Sequence, residues 1–230
     1  MTSVFGLRHQ DVEMAVLAAD RQSSYGPGQV PVYKILERKL WIADDGLYAF
    51  GHSGLRDDKL AKLAKKLVEG KDIDVEKVVT EGKFPQLREL THERMGDTVP
   101  SEDSLSSFLL VTRFNNDPKL YTCWPLGRVE PRTVTYIGSG SPRLEEYINS
   151  LSVLSEARRY LSSGASMDSD DVIRVAIEGL GYAQGKDVFS SGLDLVVVTP
   201  DRITDHFKDL QDDLGKRIKR VQKQHRKAKK

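Results

Sequence analysis

Apolar residues in this chain change spacing in blocks, and the order of those blocks restricts it to folds in which sheets and helices are segregated. Strand-length runs come first: Ser3 to Arg8, Glu13 to Asp20, Lys39 to Asp44 and Leu47 to Gly51, divided by turns rich in Gly, Pro and Asp. Between the second and third, Ser23-Ser24-Tyr25-Gly26-Pro27-Gly28 reads as a loop. Helical spacing follows. In Leu55 to Val68 the residues Leu60, Leu63, Ala64, Leu67 and Val68 share one face, with Lys59, Lys62, Lys65 and Lys66 opposite. A second helical stretch, about Asp74 to Arg94, is expected to break near Gly82 and Pro85.

Strands return at Ser106 to Phe114, Lys119 to Trp124 and Thr133 to Ile137. Two amphipathic helices come next. Leu144, Tyr147, Ile148 and Leu151 line the first, and Val172, Ile173, Ala176, Ile177 and Leu180 the second, with Asp168 or Ser169 as its N-cap. Leu193 to Thr199 is continuously apolar, as in a strand covered on both faces. A last helix from Asp205 carries Phe207, Leu210, Leu214, Ile218 and Val221 on one side. The reading is α+β: two packed sheets covered outside by pairs of helices would bury every apolar face.

Composition narrows the function classes. No run approaches the roughly 20 apolar residues of a membrane-spanning helix, and no basic-then-apolar leader opens the chain, so a cytoplasmic protein without a membrane partner is expected. Cys123 is the single cysteine, which rules out an internal disulfide or a thiolate metal cluster. Histidines 9, 52, 92, 206 and 225 lack metal-ligand spacing, and no cofactor is expected. Gly138-Ser139-Gly140 is not followed by the Gly-Lys-Ser/Thr of a nucleotide-binding loop.

Charge is uneven. Residues 216–230 hold nine Lys or Arg and no acid, so removing them from a net charge of +1 leaves −8 on residues 1–215. One main domain is therefore assigned to 1–215 and a basic helix end and tail to 216–230. Such a tail suits an acidic partner surface. Without interleaved aromatic residues for base stacking, nucleic acid is not the expected ligand.

The chemistry starts at Met1-Thr2-Ser3. Loss of Met1 would leave Thr2 with a hydroxyl and a free α-amine, nucleophile and base on one residue. An isolated α-amine has a pKa of about 7.7–8.0, already near its useful range, and a neighbouring cation would help keep it neutral. Three later segments accompany this start: Leu17-Ala18-Ala19-Asp20-Arg21, Gly138-Ser139-Gly140-Ser141-Pro142 and Asp187-Val188-Phe189-Ser190-Ser191-Gly192.

In order and separation these segments resemble the β-type subunits of the core proteasome and their simpler bacterial relatives, within the N-terminal-nucleophile hydrolases. The similarity runs from Thr2 to about Val198. It implies a four-layer α-β-β-α sandwich of two antiparallel sheets, and a threonine endopeptidase that cuts unfolded polypeptide inside a homo-oligomeric ring. An α-type subunit or an ATP-dependent unfoldase are the partners it brings with it.

By that resemblance Thr2 attacks the scissile carbonyl, Lys39 is the cation beside its amine and Asp20 the carboxylate partner of Lys39. Ser139, Asp187 and Ser190 surround the amino end, and Gly51 offers its N–H to the oxyanion. Lys39 is preferred to Lys34 because it stands twelve residues before Gly51, which with Gly54 resembles the family's Gly-x-x-Gly, and because it opens a strand. Taken alone, Gly51 reads as a turn glycine, Ser139 as a helix cap and Asp187 with Ser190 as a loop. Two other readings keep the fold: a catalytically silent ring subunit, in which a retained Met1 turns the amine into an amide, and a small-molecule amidase of the same superfamily.

Overall fold

A computed structural model describes residues 3–9, 11–25, 33–36, 38–54, 58–95, 106–153, 169–186 and 192–206. Within them lie strands β1 (Ser3–His9), β2 (Met14–Ala19), β3 (Gln22–Tyr25), β4 (Tyr33–Leu36), β5 (Leu40–Ile42) and β6 (Tyr48–Ser53), then helices α1 (Asp58–Glu69), α2 (Val75–Glu81) and α3 (Pro85–Met95). Strands β7 (Ser107–Thr112), β8 (Lys119–Cys123), β9 (Val129–Arg132) and β10 (Val134–Gly138) follow. After them come α4 (Ser141–Val153), α5 (Ser169–Lys186), β11 (Asp194–Val198) and β12 (Ile203–Asp205). The protein is α+β, with two five-stranded antiparallel sheets ordered β10-β1-β2-β11-β12 and β5-β6-β7-β8-β9, and a two-stranded ribbon β3-β4.

Strand alternation sorts the apolar residues into three clusters. In β1, Val4 belongs to a cluster with Leu17, Ala19, Ile137 and Val196 of its own sheet and Leu40, Ala49, Leu109, Val111 and Leu120 of the other. Its neighbour Phe5 turns the opposite way, packing with Val16, Ala18, Leu195 and Val197 against Leu144 and Tyr147 of α4 and Val172, Ala176 and Leu180 of α5. On the second sheet, Tyr48, Phe50, Phe108, Leu110 and Tyr121 meet Leu60, Leu63 and Leu67 of α1, Val75 and Val78 of α2, and Leu87 and Leu90 of α3. All six residues of β2 are buried, as both faces of that strand are covered. A buried hydrogen bond of 2.6 Å between the Thr122 and Thr135 hydroxyls ties β8 to β10.

The helix expectations hold closely. Leu60, Leu63, Ala64 and Leu67 are buried in α1 while Lys59, Lys62, Lys65 and Lys66 stay exposed. The break near Gly82 is real: Gly82 adopts φ 66°, a left-handed conformation that glycine takes without steric cost, and its N–H caps α2 on Val78 O.

Two expectations need correction. The segment read as a loop at Ser23-Ser24-Tyr25 belongs to β3, with Ser24 opposite Lys34; it has no apolar alternation of its own and is ordered by pairing with β4. Gly26 to Gly28 lie outside the described residues. Strand β9 was not foreseen, because Val-Glu-Pro-Arg is neither alternating nor rich in strand formers. As the edge of its sheet it tolerates Pro131, which lacks an N–H only where no further strand would need it. Asp205, taken as the start of a helix, ends β12, and the rest of that predicted helix lies outside the described residues.

Candidate active site

The β1–β2 hairpin sets the position of Asp20. Register pairs Val4 with Ala19, and the ladder continues for one more bond, Asp20 N donating to Ser3 O at 3.0 Å. Asp20 therefore stands beside the first residues of β1 and is fully buried. Across from it Lys39, which immediately precedes β5, donates from Nζ to Asp20 Oδ1 at 2.7 Å, and only 3% of Lys39 is exposed. A charge pair this deep persists only where each partner compensates the desolvation of the other. Lys39 is a lysine that meets Asp20, and Lys34 lies in β4 with its backbone opposite Ser24.

Lys39 is held by its backbone as well. Asp194, at the head of β11 and paired in register with Ala19, accepts from Lys39 N at 2.6 Å and Leu40 N at 3.0 Å, both on Oδ2. Burial pushes the Asp194 carboxyl above its ordinary range, and the two N–H donors together with the Arg38 and Arg21 charges pull the other way. One residue earlier, Arg38 pairs with Asp205 of β12 at 2.6 Å and donates to Leu40 O. Sequence reasoning missed Asp194. The available signal was one acid opening an otherwise apolar strand.

Gly51 approaches the backbone of Lys39, an added Cβ there falling 3.4 Å from Lys39 O. Gly51 sits inside β6, opposite Leu40 on one side and Leu109 on the other, so it is not a turn glycine. A Cβ there would lie 2.6 Å from Leu40 Cδ2 and 3.0 Å from Val4 Cγ1, and the close approach of the two sheets is what requires glycine. Ser139 follows Gly138, the last residue of β10, which is paired with Ser3. It does not occupy the cap: Arg143 N and Leu144 N both donate to Gly140 O, placing Gly140 at the start of α4. Gly140 also packs directly on Ser3, whose Cβ would be 2.9 Å from an added methyl, and the buried Ser3 hydroxyl has no hydrogen-bond partner among the described residues.

His52, one residue past Gly51, was not singled out from sequence. Its ring stacks on Trp41 at 5.0 Å and 7°, and leans on Phe108 at 5.7 Å. Burial first, then the charges of Lys39 and Arg94, lower its pKa to about 4, so it is neutral at physiological pH. Cys123 lies in the apolar cluster under α1–α3, and burial pushes its thiol up to about 12, which removes it as a nucleophile.

The structure thus brings together Asp20 and Lys39, sets Gly51 against the Lys39 backbone, and places Ser139 one residue after Gly138, the partner of Ser3. Thr2, Asp187 and Ser190 lie outside the described residues. Among the described residues no group of three or more His, Cys, Asp or Glu is placed to hold a metal ion, and no helix is long and apolar enough to cross a membrane. What the arrangement can do chemically is hold one shielded positive charge next to the start of β1. Comparison with protein-family models and with curated proteins finds no match.

Proposed function

We propose that the protein is a threonine peptidase in which Thr2, freed of Met1, is the nucleophile. The observation that carries this reading is the buried Lys39–Asp20 pair beside the first strand, where Asp20 N is bonded to Ser3 O. An ammonium shielded from water has few roles in a purely structural core, since an apolar pair of similar volume is often as stable or more so. Placed next to a terminal amine, it disfavours protonation of that amine and leaves it able to accept a proton.

The reaction follows from those parts. The Thr2 hydroxyl adds to the scissile carbonyl as its proton passes to the α-amine. The oxyanion that forms draws on the field of Lys39. Collapse breaks the C–N bond, the leaving amine takes the proton, and an ester to Thr2 remains. Water, deprotonated by the same amine, cleaves that ester and restores the hydroxyl. Ser139, Asp187 and Ser190 are assigned to orienting the amine.

Within this reading the three apolar clusters correspond to the interfaces of a four-layer α-β-β-α sandwich of the N-terminal-nucleophile hydrolase type, and the substrate is unfolded polypeptide cut inside a ring of copies. The chain purified from its native processing state should hydrolyse denatured protein, carry Thr2 as its first residue by mass spectrometry and elute from gel filtration as a large assembly. Thr2→Ala should abolish turnover and leave the elution unchanged. Undiminished hydrolysis by that variant ends the proposal. Hydrolysis of small amides alone, by a protein of monomer size, favours the amidase reading, and a retained Met1 without turnover favours the silent subunit.

A further inference from the structure

Lys39 sits just ahead of β5, and its N–H and that of Leu40 are both held by a carboxylate of the opposite sheet. We infer that Asp194 is a positioning residue for the peptidase reaction, setting the reach of the Lys39 ammonium through the backbone of Lys39 and Leu40. The inference rests on the peptidase reading above.

The geometry is specific. A single oxygen, Asp194 Oδ2, accepts two consecutive N–H groups, which fixes both the position and the tilt of the Lys39–Leu40 peptide. Asp194 is 1% exposed, so water cannot replace it if it is removed. Its own backbone is paired with Ala19, the residue before Asp20. The carboxylate that meets the ammonium and the carboxylate that holds its backbone are therefore anchored to the same two strands. Lys39 is suspended between them: Nζ on Asp20 and N on Asp194. Leu40, the second donor, seals the arrangement from the inter-sheet side, fully buried and in contact range of Gly51.

A carboxylate that acted only on stability would have no reason to influence the amine at Thr2. One that sets the distance of a cation from that amine must do so, since moving the cation away raises the pKa of the amine. A displacement of about 1 Å in a positioned catalytic group costs roughly a hundredfold in rate.

The test uses the full chain in its assembled form and fluorescein-labelled denatured casein as the substrate, with Asp194→Ala and Asp194→Asn compared to wild type and Thr2→Ala. Asp194→Ala is expected to lose about a hundredfold in kcat with KM kept within about twofold, because the interaction removed acts on the reacting groups and not on substrate binding. The acid limb of its kcat/KM profile should move to higher pH. Asp194→Asn should recover most of the rate, since an amide oxygen accepts the same two N–H groups without the charge. Should Asp194→Ala fail to fold, Asp194→Glu, which keeps an acceptor but displaces it by one methylene, is expected to show the same loss and the same move of the acid limb. A wild-type kcat and acid limb in Asp194→Ala or Asp194→Glu, beside an inactive Thr2→Ala, overturns the positioning role and leaves the peptidase standing. So does an Asn variant as impaired as Ala. An inactive wild type, or a fully active Thr2→Ala, overturns the peptidase reading and the positioning role with it.

Discussion

The ammonium of Lys39 lies 2.7 Å from the carboxylate of Asp20, with 4% of one side chain and none of the other in contact with solvent. Each member is tolerable at that depth because of the other. Lys39→Met leaves Asp20 as an uncompensated buried charge and should cost about 3–5 kcal/mol of stability, as should Asp20→Leu with the roles reversed. The combined variant should be more stable than either single one, measured as urea midpoints. A loss in the combined variant equal to the sum of the two single losses would show that the two charges do not depend on each other.

Gly51 is confined by Leu40 of the neighbouring strand and by Val4 of the opposite sheet. Gly51→Ala should destabilise by about 1–3 kcal/mol through overpacking against Leu40 and Val4. Trimming Leu40 to Ala creates the missing space, so the Gly51→Ala penalty should shrink in that background. A thermodynamic cycle with no coupling between the two positions would contradict the contact.

Ser3 buries against Gly140 a hydroxyl with no partner among the described residues. Removing an unsatisfied buried group is neutral or favourable, so Ser3→Ala should hold or raise stability by up to about 1 kcal/mol. Gly140→Ala should be destabilising in the wild type and less so beside Ser3→Ala, though the two Cβ atoms would still crowd. Calorimetric melting of the two single variants and the double variant decides this, and a clearly destabilised Ser3→Ala would mean that the hydroxyl does have a partner in solution.

His52 predicts a pH dependence of stability. Its folded pKa of about 4 lies below the ordinary 6.5, so between those values the unfolded chain binds the proton and the folded one does not. Its contribution is fully present above pH 6.5 and is lost as the pH falls toward 4, by at most about 3 kcal/mol over that interval. His52→Phe should flatten the slope of stability against pH between 4 and 6.5. An unchanged slope in that variant would place the titration elsewhere.

Several of these contacts were readable from spacing and several were not. The faces of α1, α4 and α5, the order of the strand and helix blocks, and the break at Gly82 follow from local rules, because helical and strand periodicity is written in neighbouring residues. Ribbon strand β3 and edge strand β9 escaped because their order comes from a paired strand elsewhere in the chain, not from their own composition. The site divides in the same way. Asp20 and Lys39 are named by the resemblance of their segments, whereas Asp194 carries only the slight signal of a lone acid opening an apolar strand and His52 carries none.

By itself the sequence determined which faces of α1, α4 and α5 are apolar and the order of the strand and helix blocks. Only the tertiary structure decided that Lys39 meets Asp20, that Gly51 is a glycine because Leu40 and Val4 leave no room, and that Asp194 reaches across to hold the lysine's backbone. The physical reason is distance along the chain: Asp194 and Lys39 are 155 residues apart, and a bond across that separation exists only after two sheets have closed on each other.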